Sequence, residues 1–298
     1  MRETQIPLRF RILTWNCFGA PQGLLDALRE RAPEGERLQD PEVRDQCADA
    51  DVLCLQELLS GEAQRFFDHL HRTHRRDALR DHNALHLWPP TLRGTGLGLL
   101  SRSPLRVPRF WHFRAASGLD RVARKGALHA RLRIGTLEID VVNVHLQAGY
   151  DQAAVDARMA QLVELRRHVD LVGSPERDLL LSGDLNVDGL RPSRGSEEYR
   201  LLLSLFGDFT DLGAERDEVT FDPTPGGNTL ALRHEPHGWP QRLDYILHRP
   251  AAGRRGLRFY ALERVLDRPL RRRSGRGVTW ASDHYGLLAT FEAREGPG

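Results

Sequence analysis

Asp283 and His284 stand side by side just ahead of an alternating apolar run at 286–291. A carboxylate beside an imidazole can orient the ring or raise its basicity, which suits general-base chemistry near neutral pH. Such pairs are common on solvated strand ends, so this one proves little by itself. The rest of the chain adds to it. Apolar runs at 10–15, 52–56, 137–144 and 179–182 lead into Asn16, into Glu57, into His145, and into Asp184 with Asn186, and a further run at 241–248 carries Asp244.

Acids and amides with two histidines suit Mg²⁺, with Mn²⁺ an alternative, whereas structural zinc would call for thiolates or a histidine-rich set. Two histidines on different strands can serve as base and acid on opposite sides of a phosphorus centre. The chemistry implied is metal-assisted hydrolysis of a phosphate ester.

The elements that must position these groups read as strands alternating with a few long helices, a layered α/β protein whose strand ends meet at one rim. Asp40-Pro41-Glu42 reads as a helix cap with proline in the first turn, and residues 62–72 as a helix packing through Ala63, Phe66, Phe67 and Leu70. Residues 128–134 and 137–141 alternate around Gly135-Thr136 as a half-buried hairpin. Residues 151–169 form the strongest helix, read as core, and 196–206 a further one. Gly94, Gly96 and Gly98 do not match a nucleotide fingerprint and read as a closely packed strand. The His- and Arg-rich stretch at 69–86 reads as solvated surface. Residues 215–239, rich in Gly, Pro and Asn, read as a long loop bordering a cleft. Arg268, Arg271, Arg272, Arg273 and Arg276 read as a solvated hairpin tip, with a phosphate or membrane-surface contact as the alternative.

A chain 40% hydrophobic and 28% charged can bury a large core, and a single domain over 1–298 is expected. A formal net charge of +2 does not choose a substrate. Cys17, Cys47 and Cys54 have no metal-type spacing and read as reduced, buried thiols, which favours a reducing compartment. Residues 1–8 lack an export signal and no stretch reaches membrane-spanning length, so a cytoplasmic location is expected, with secretion of a trimmed form also consistent. Lys125 is the only lysine among 43 basic residues. The arginines are read as compositional bias; the single compact ammonium is more suggestive.

At these residues the chain resembles the endonuclease/exonuclease/phosphatase superfamily. The ordered set runs from Trp15-Asn16 through Gln56-Glu57, Asn143-Val144-His145, Gly183-Asp184-Leu185-Asn186 and Leu243-Asp244-Tyr245 to Ser282-Asp283-His284. Within it, the chain looks most like the neutral sphingomyelinase branch. Phe18 stands two places after Asn16, where abasic-site nucleases carry an acid. Lys125-Gly126 matches a Lys-Gly element of that branch, with Asp120 five residues earlier, and His145-Leu146-Gln147-Ala148 is followed by a helix bearing Arg158, Gln161 and Glu164-Leu165.

The resemblance implies a DNase I-like, four-layered α/β sandwich with two central mixed sheets. It implies that Glu57, with Asn16, holds the divalent ion and that Asp184 and Asn186 position the water and a phosphoryl oxygen. His284, oriented by an acid, takes the water's proton, unless Asp184 is the base, and His145, paired with Asp244, serves the leaving oxygen. Lys125 steadies phosphate charge, with Asp120 as its partner. The expected substrate is a phosphate ester, foremost a phospholipid such as sphingomyelin, with nucleic acid or an inositol or sugar phosphate as alternatives. The chain is expected to act as a monomer that touches membranes peripherally, and Trp239 and Trp88 are the only aromatic candidates for that contact.

Overall fold

The computed structural model describes residues 8–19, 35–74, 76–81, 84–87, 90–122, 124–253, 255–271 and 278–294. The strands are β1 (Arg9–Asn16), β2 (Val52–Gln56), β3 (Asp77–Arg80), β4 (Ala84–Leu87), β5 (Pro90–Arg93), β6 (Gly98–Ser101), β7 (Arg106–His112), β8 (Gly126–Ile134), β9 (Leu137–His145), β10 (Asp178–Asp184), β11 (Thr210–Asp211), β12 (Asp244–Arg249), β13 (Gly256–Val265), β14 (Leu270–Arg271), β15 (Val278–Thr279) and β16 (Gly286–Arg294). The helices are α1 (Pro41–Ala48), α2 (Gly61–Thr73), α3 (Gln152–Val172), α4 (Glu197–Leu205) and α5 (Thr229–His234).

Two six-stranded mixed sheets carry the fold, ordered β13-β16-β1-β2-β6-β3 and β11-β12-β10-β9-β8-β7. Their facing sides share one apolar core, built from residues such as Ile12, Cys54, Leu99, Leu128, Val141, Leu180 and Phe291. Trp15, Leu53 and Leu55 face the other way, onto Val43, Phe66 and Leu70 of α1 and α2. Val142, Val144 and Leu181 do the same onto Leu162, Leu165 and Leu202 of α3 and α4. The period-two alternation of these strands therefore feeds one shared core and two outer ones, and the result is the four-layered sandwich.

The helices start where their caps dictate. Asp40, Ser60, Asp151 and Ser196 each accept a backbone N–H from the first turn of α1 to α4, satisfying donors the helix cannot. The loop expectation for 215–239 needs correcting. It contains α5, capped by the wholly buried Asn228, whose Oδ1 accepts from Leu230 N at 2.9 Å. The surface reading of 69–86 also fails in part. Arg76 is buried and donates to the carbonyls of Cys47, Ala48, Ala50 and Asp51, and β3 pairs with β6. All three cysteines are free and buried. Arg272, Arg273, Arg276 and Trp88 lie outside the described residues. No helix among the described residues is long and apolar enough to cross a membrane.

One polar tie crosses the shared core. Gln56 Nε2 donates to Asn143 Oδ1 at 2.7 Å, and Asn143 Nδ2 donates to the carbonyls of Leu55 and Gly98, each at 2.9 Å. Both residues are fully buried, and the tie fixes how the ends of the two sheets sit against each other. Asn143→Ala would strand these groups without water, so a loss of roughly 2–4 kcal/mol is expected, measured as the shift of a denaturant midpoint at unchanged slope.

Candidate active site

Strand register makes the site. In the second sheet Asp184 pairs with His145 across a parallel ladder and with Asp244 across an antiparallel one, so the three share one rung at the sheet's end. In the first sheet Asn16 pairs with Gln56, which places Glu57 just past the same end. His284 arrives in the turn before β16, its carbonyl accepting from the indole Nε1 of Trp15 at 3.2 Å.

The side chains then form a connected chain. Asn16 Nδ2 donates to Glu57 Oε1 at 3.3 Å and to Asp184 Oδ2 at 3.0 Å. The same Asp184 oxygen lies 3.3 Å from His145 Nε2 and 3.9 Å from His284 Nε2. Lys125 Nζ stands 2.8 Å from His145 Nε2 and 3.6 Å from Asp120 Oδ1. Asp120 also accepts from Ala148 N at 3.0 Å, which anchors it to the loop after His145. Asn186 N donates to the second Asp184 oxygen, and Asn186 Nδ2 to Leu146 O. Nine of the ten residues expected at the site thus meet. The tenth, Asp283, does not join them.

Two expected pairings are corrected. Asp244 belongs to His284, not to His145: its Oδ2 is 2.8 Å from His284 Nδ1. Asp283 does not orient His284 despite adjacency, since Asp244 takes His284 Nδ1 and the Asp283 carboxylate is turned to other partners. Its carboxylate lies instead beside Ser282 Oγ and His234 Nδ1, both at 3.1 Å.

Several residues that sequence reasoning missed build the frame. Ser282 Oγ donates to Asn16 O at 2.6 Å and Asn228 Nδ2 to Ser282 O at 2.7 Å, locking the first and last strands' loops together. His234 stacks on Phe18 with ring centroids 5.3 Å apart. The buried Arg37 holds the carbonyls of Phe18 and Ala281. The core reading of α3 was incomplete. Buried Arg158 donates to the carbonyls of Gln147 and Gly149. Gln161 binds Gln147 N and Ala115 O, so the helix also braces the loops bearing Asp120 and Lys125. The signal was a long polar side chain at a core-facing helical position.

Backbone strain concentrates here. Phe18, Glu57 and Asn186 have φ of 48°, 58° and 52°, the left-handed region that non-glycine residues seldom occupy. Gly183 has a φ of 147°, and a Cβ there would lie 1.9 Å from Val144 O, so only glycine lets β10 deliver Asp184 beside β9.

Burial disfavours ionised Asp184, yet the positive charge of His284, His145 and Lys125 holds its carboxyl well below the usual range. Burial likewise disfavours a charged His284, but Asp244 and Asp184 outweigh it and lift the ring to about 10. The cluster has the donor chemistry of a hard cation. Glu57 is partly open to solvent, Asp244 Oδ1 is buried without a hydrogen-bond partner, and ligand atoms of Asp184, Asp244 and His284 all lie within 4.8 Å of one another. The Asp184–Asp244–His284 group is the compact one. Glu57 with Asn16, expected from sequence as the metal pair, adjoins it through Asn16.

The profile of the Endonuclease/Exonuclease/phosphatase family matches residues 13–284. A phospholipase C of Staphylococcus aureus is 25% identical over 159 residues, covering 51% of this chain and 45% of the relative, so the match spans less than half the length of that protein. Among solved structures, sphingomyelinase C from Streptomyces griseocarneus superposes with a TM-score of 0.70 at 22% identity, covering 96% of this chain and 99% of that one. A double mutant of Staphylococcus aureus beta toxin with bound magnesium ions gives 0.72 at 17% identity, covering 94% and 98%. At these identities the structures establish the shared fold.

Proposed function

The chain belongs to the endonuclease/exonuclease/phosphatase family, and from that premise we propose that it is a Mg²⁺-dependent phosphodiesterase acting on a phospholipid such as sphingomyelin. Water attacks phosphorus in line, the bond from phosphorus to the lipid oxygen breaks, and the lipid alcohol leaves as the phosphorylated head group is freed, ceramide and phosphocholine in the case of sphingomyelin. The observation that carries this reading is the rung His145–Asp184–Asp244, with His284 on Asp244 at 2.8 Å. The names of the similar proteins, phospholipase C and sphingomyelinase C, support the lipid substrate.

Glu57 and Asn16, with Asp184 beside them, would hold the ion. When bound, a dication there neutralises phosphoryl charge and offsets the carboxylate field that keeps His284 protonated. The residues do the rest. His284 donates from Nδ1 to Asp244 and accepts the water's proton at Nε2. As the phosphorus–oxygen bond breaks, His145 returns a proton to the leaving oxygen, with Lys125 adding positive charge beside it. Asp184, held ionised, and Asn186 orient the water and a phosphoryl oxygen.

Release of the phosphorylated head group from sphingomyelin and glycerophospholipid vesicles should need Mg²⁺ and stop on chelation, with no comparable nicking of supercoiled plasmid. Robust nicking without lipid turnover would transfer the assignment to a nuclease of the same family.

A further inference from the structure

A cavity of about 570 Å³ opens beside the site, lined by His112, Phe113, Arg114, Ala116, Asp120, Arg121 and Arg124. It lies between the end of β7 and the start of β8, over a short 3-10 turn at Gly118–Arg121. Its one carboxylate is already engaged: Asp120 accepts from Ala148 N and pairs with Lys125 at 3.6 Å. Asp120 is therefore a wall common to this cavity and the catalytic cluster, since Lys125 continues to His145 at 2.8 Å.

The three guanidinium groups are unevenly committed. Arg121 Nε donates to Ala116 O at 3.3 Å. The side chains of Arg114 and Arg124 have no hydrogen-bond or ion-pair partner among the described residues. The segment that carries them is nonetheless fixed. Arg114 N donates to Glu164 Oε2, Ser117 N to Gln147 Oε1, and Gln161 Nε2 to Ala115 O, and Phe113 is buried beneath. A braced concavity with two uncommitted guanidinium forks and a neutralised acid has the chemistry of a receptor for a phosphate or carboxylate. Three guanidinium groups around it repel a quaternary ammonium, and the aromatic ring of Phe113 in its lining is buried.

We infer that this cavity is an anion subsite, in which Arg114, Arg121 and Arg124 bind a phosphomonoester or carboxylate carried on the same substrate molecule as the scissile diester. The substrate part of this statement rests on the phosphodiesterase reading. It narrows the head group to one with a negative charge of its own, favoured over choline. Arg114 and Arg124 are exposed and unpartnered, so substituting them leaves the packed frame untouched.

The test has two arms on the full chain. With the metal chelated, calorimetric titration of glycerol 3-phosphate should show binding that weakens about tenfold or more in Arg114→Gln/Arg124→Gln, the loss expected for charge-assisted contacts. It should be unchanged in Arg258→Gln, which removes the same charge from an exposed position on β13 of the other sheet. No binding by the wild type, or equal binding by the double variant, overturns the subsite. With Mg²⁺ present, KM for phosphatidylinositol 4-phosphate vesicles should rise about tenfold in the double variant at similar kcat, with a smaller change for sphingomyelin vesicles. Equal shifts for both lipids overturn the placement of the anion on the substrate. Weakened glycerol 3-phosphate binding with no turnover of either lipid leaves the subsite standing and removes the phosphodiesterase reading instead.

Discussion

His284→Ala is expected to lower kcat for phosphodiester hydrolysis about 10²- to 10⁴-fold, the usual range for a lost general base, in a protein still folded by circular dichroism. The expectation rests on geometry before acidity. His284 Nδ1 is committed to Asp244 at 2.8 Å, which leaves Nε2 facing Asp184 at 3.9 Å. Asp244→Asn keeps the shape but removes the charge that orients the ring and stabilises its protonated form, and a fall of about 10²- to 10⁴-fold is expected. Because the two residues act as one unit, the double variant should be scarcely worse than the slower single. Losses that multiply would mean independent roles. A near-normal rate in either single variant would remove the assignment.

The raised pKa of His284 gives the same pair a second readout in metal-free protein. His284 titrates near 10 in the folded chain against about 6.5 for an unperturbed ring. A group with its folded value raised contributes stability that is complete below the unfolded value and fades as pH climbs through the folded one. The stability gap between wild type and His284→Ala should therefore shrink between about pH 6.5 and 10. A gap that widens with pH would place the ring's proton elsewhere.

Much of this was readable in the chain, for a physical reason. A buried strand must be apolar along its length, so a polar group at its end marks where the strand meets solvent or a site. Asn16, Glu57, His145 and Asp184 were visible in that way, and Asp244 as the acid carried within the run at 241–248. Their partners were not, because partnership depends on register between strands far apart in sequence. Asp184 meets Asp244 only through an antiparallel ladder and His145 only through a parallel one. Adjacency pointed to Asp283 for His284, yet Asp244, from a strand 40 residues earlier, takes the ring and Asp283 faces His234. The frame was harder still. Arg37 and Arg76 looked like compositional bias and Arg158 was named only within the family resemblance, yet each uses its fork to hold two or more backbone carbonyls, which a lysine's point charge does less well. The cap of α5 was present as Asn228-Thr229-Leu230, hidden in a stretch whose Gly and Pro content argued for loop.

Glu57→Gln carries the other large expected effect. Glu57 offers a carboxylate with two long contacts, to Asn16 Nδ2 at 3.3 Å and to His145 Nε2 at 3.9 Å, while remaining partly exposed, so it keeps lone pairs for a hydrated cation. Removing the charge should weaken activation by Mg²⁺ at least about 10²-fold and lower turnover about 10³-fold or more at ordinary Mg²⁺, with partial recovery as the ion is raised. Unchanged Mg²⁺ dependence would move the ion to the Asp184–Asp244–His284 group instead. Stability separates function from architecture at the same position. Glu57 sits at a φ of 58°, a conformation costing a non-glycine residue about 1 kcal/mol or more. Glu57→Gly relieves that cost, offset in part by the freer unfolded chain, and should unfold no earlier than the wild type while losing activity as Glu57→Gln does. A residue kept against its backbone preference, where its carboxylate adjoins the cluster at the sheets' ends, is there for charge, and a Glu57→Gly protein that melts well below wild type would show that it is there for packing.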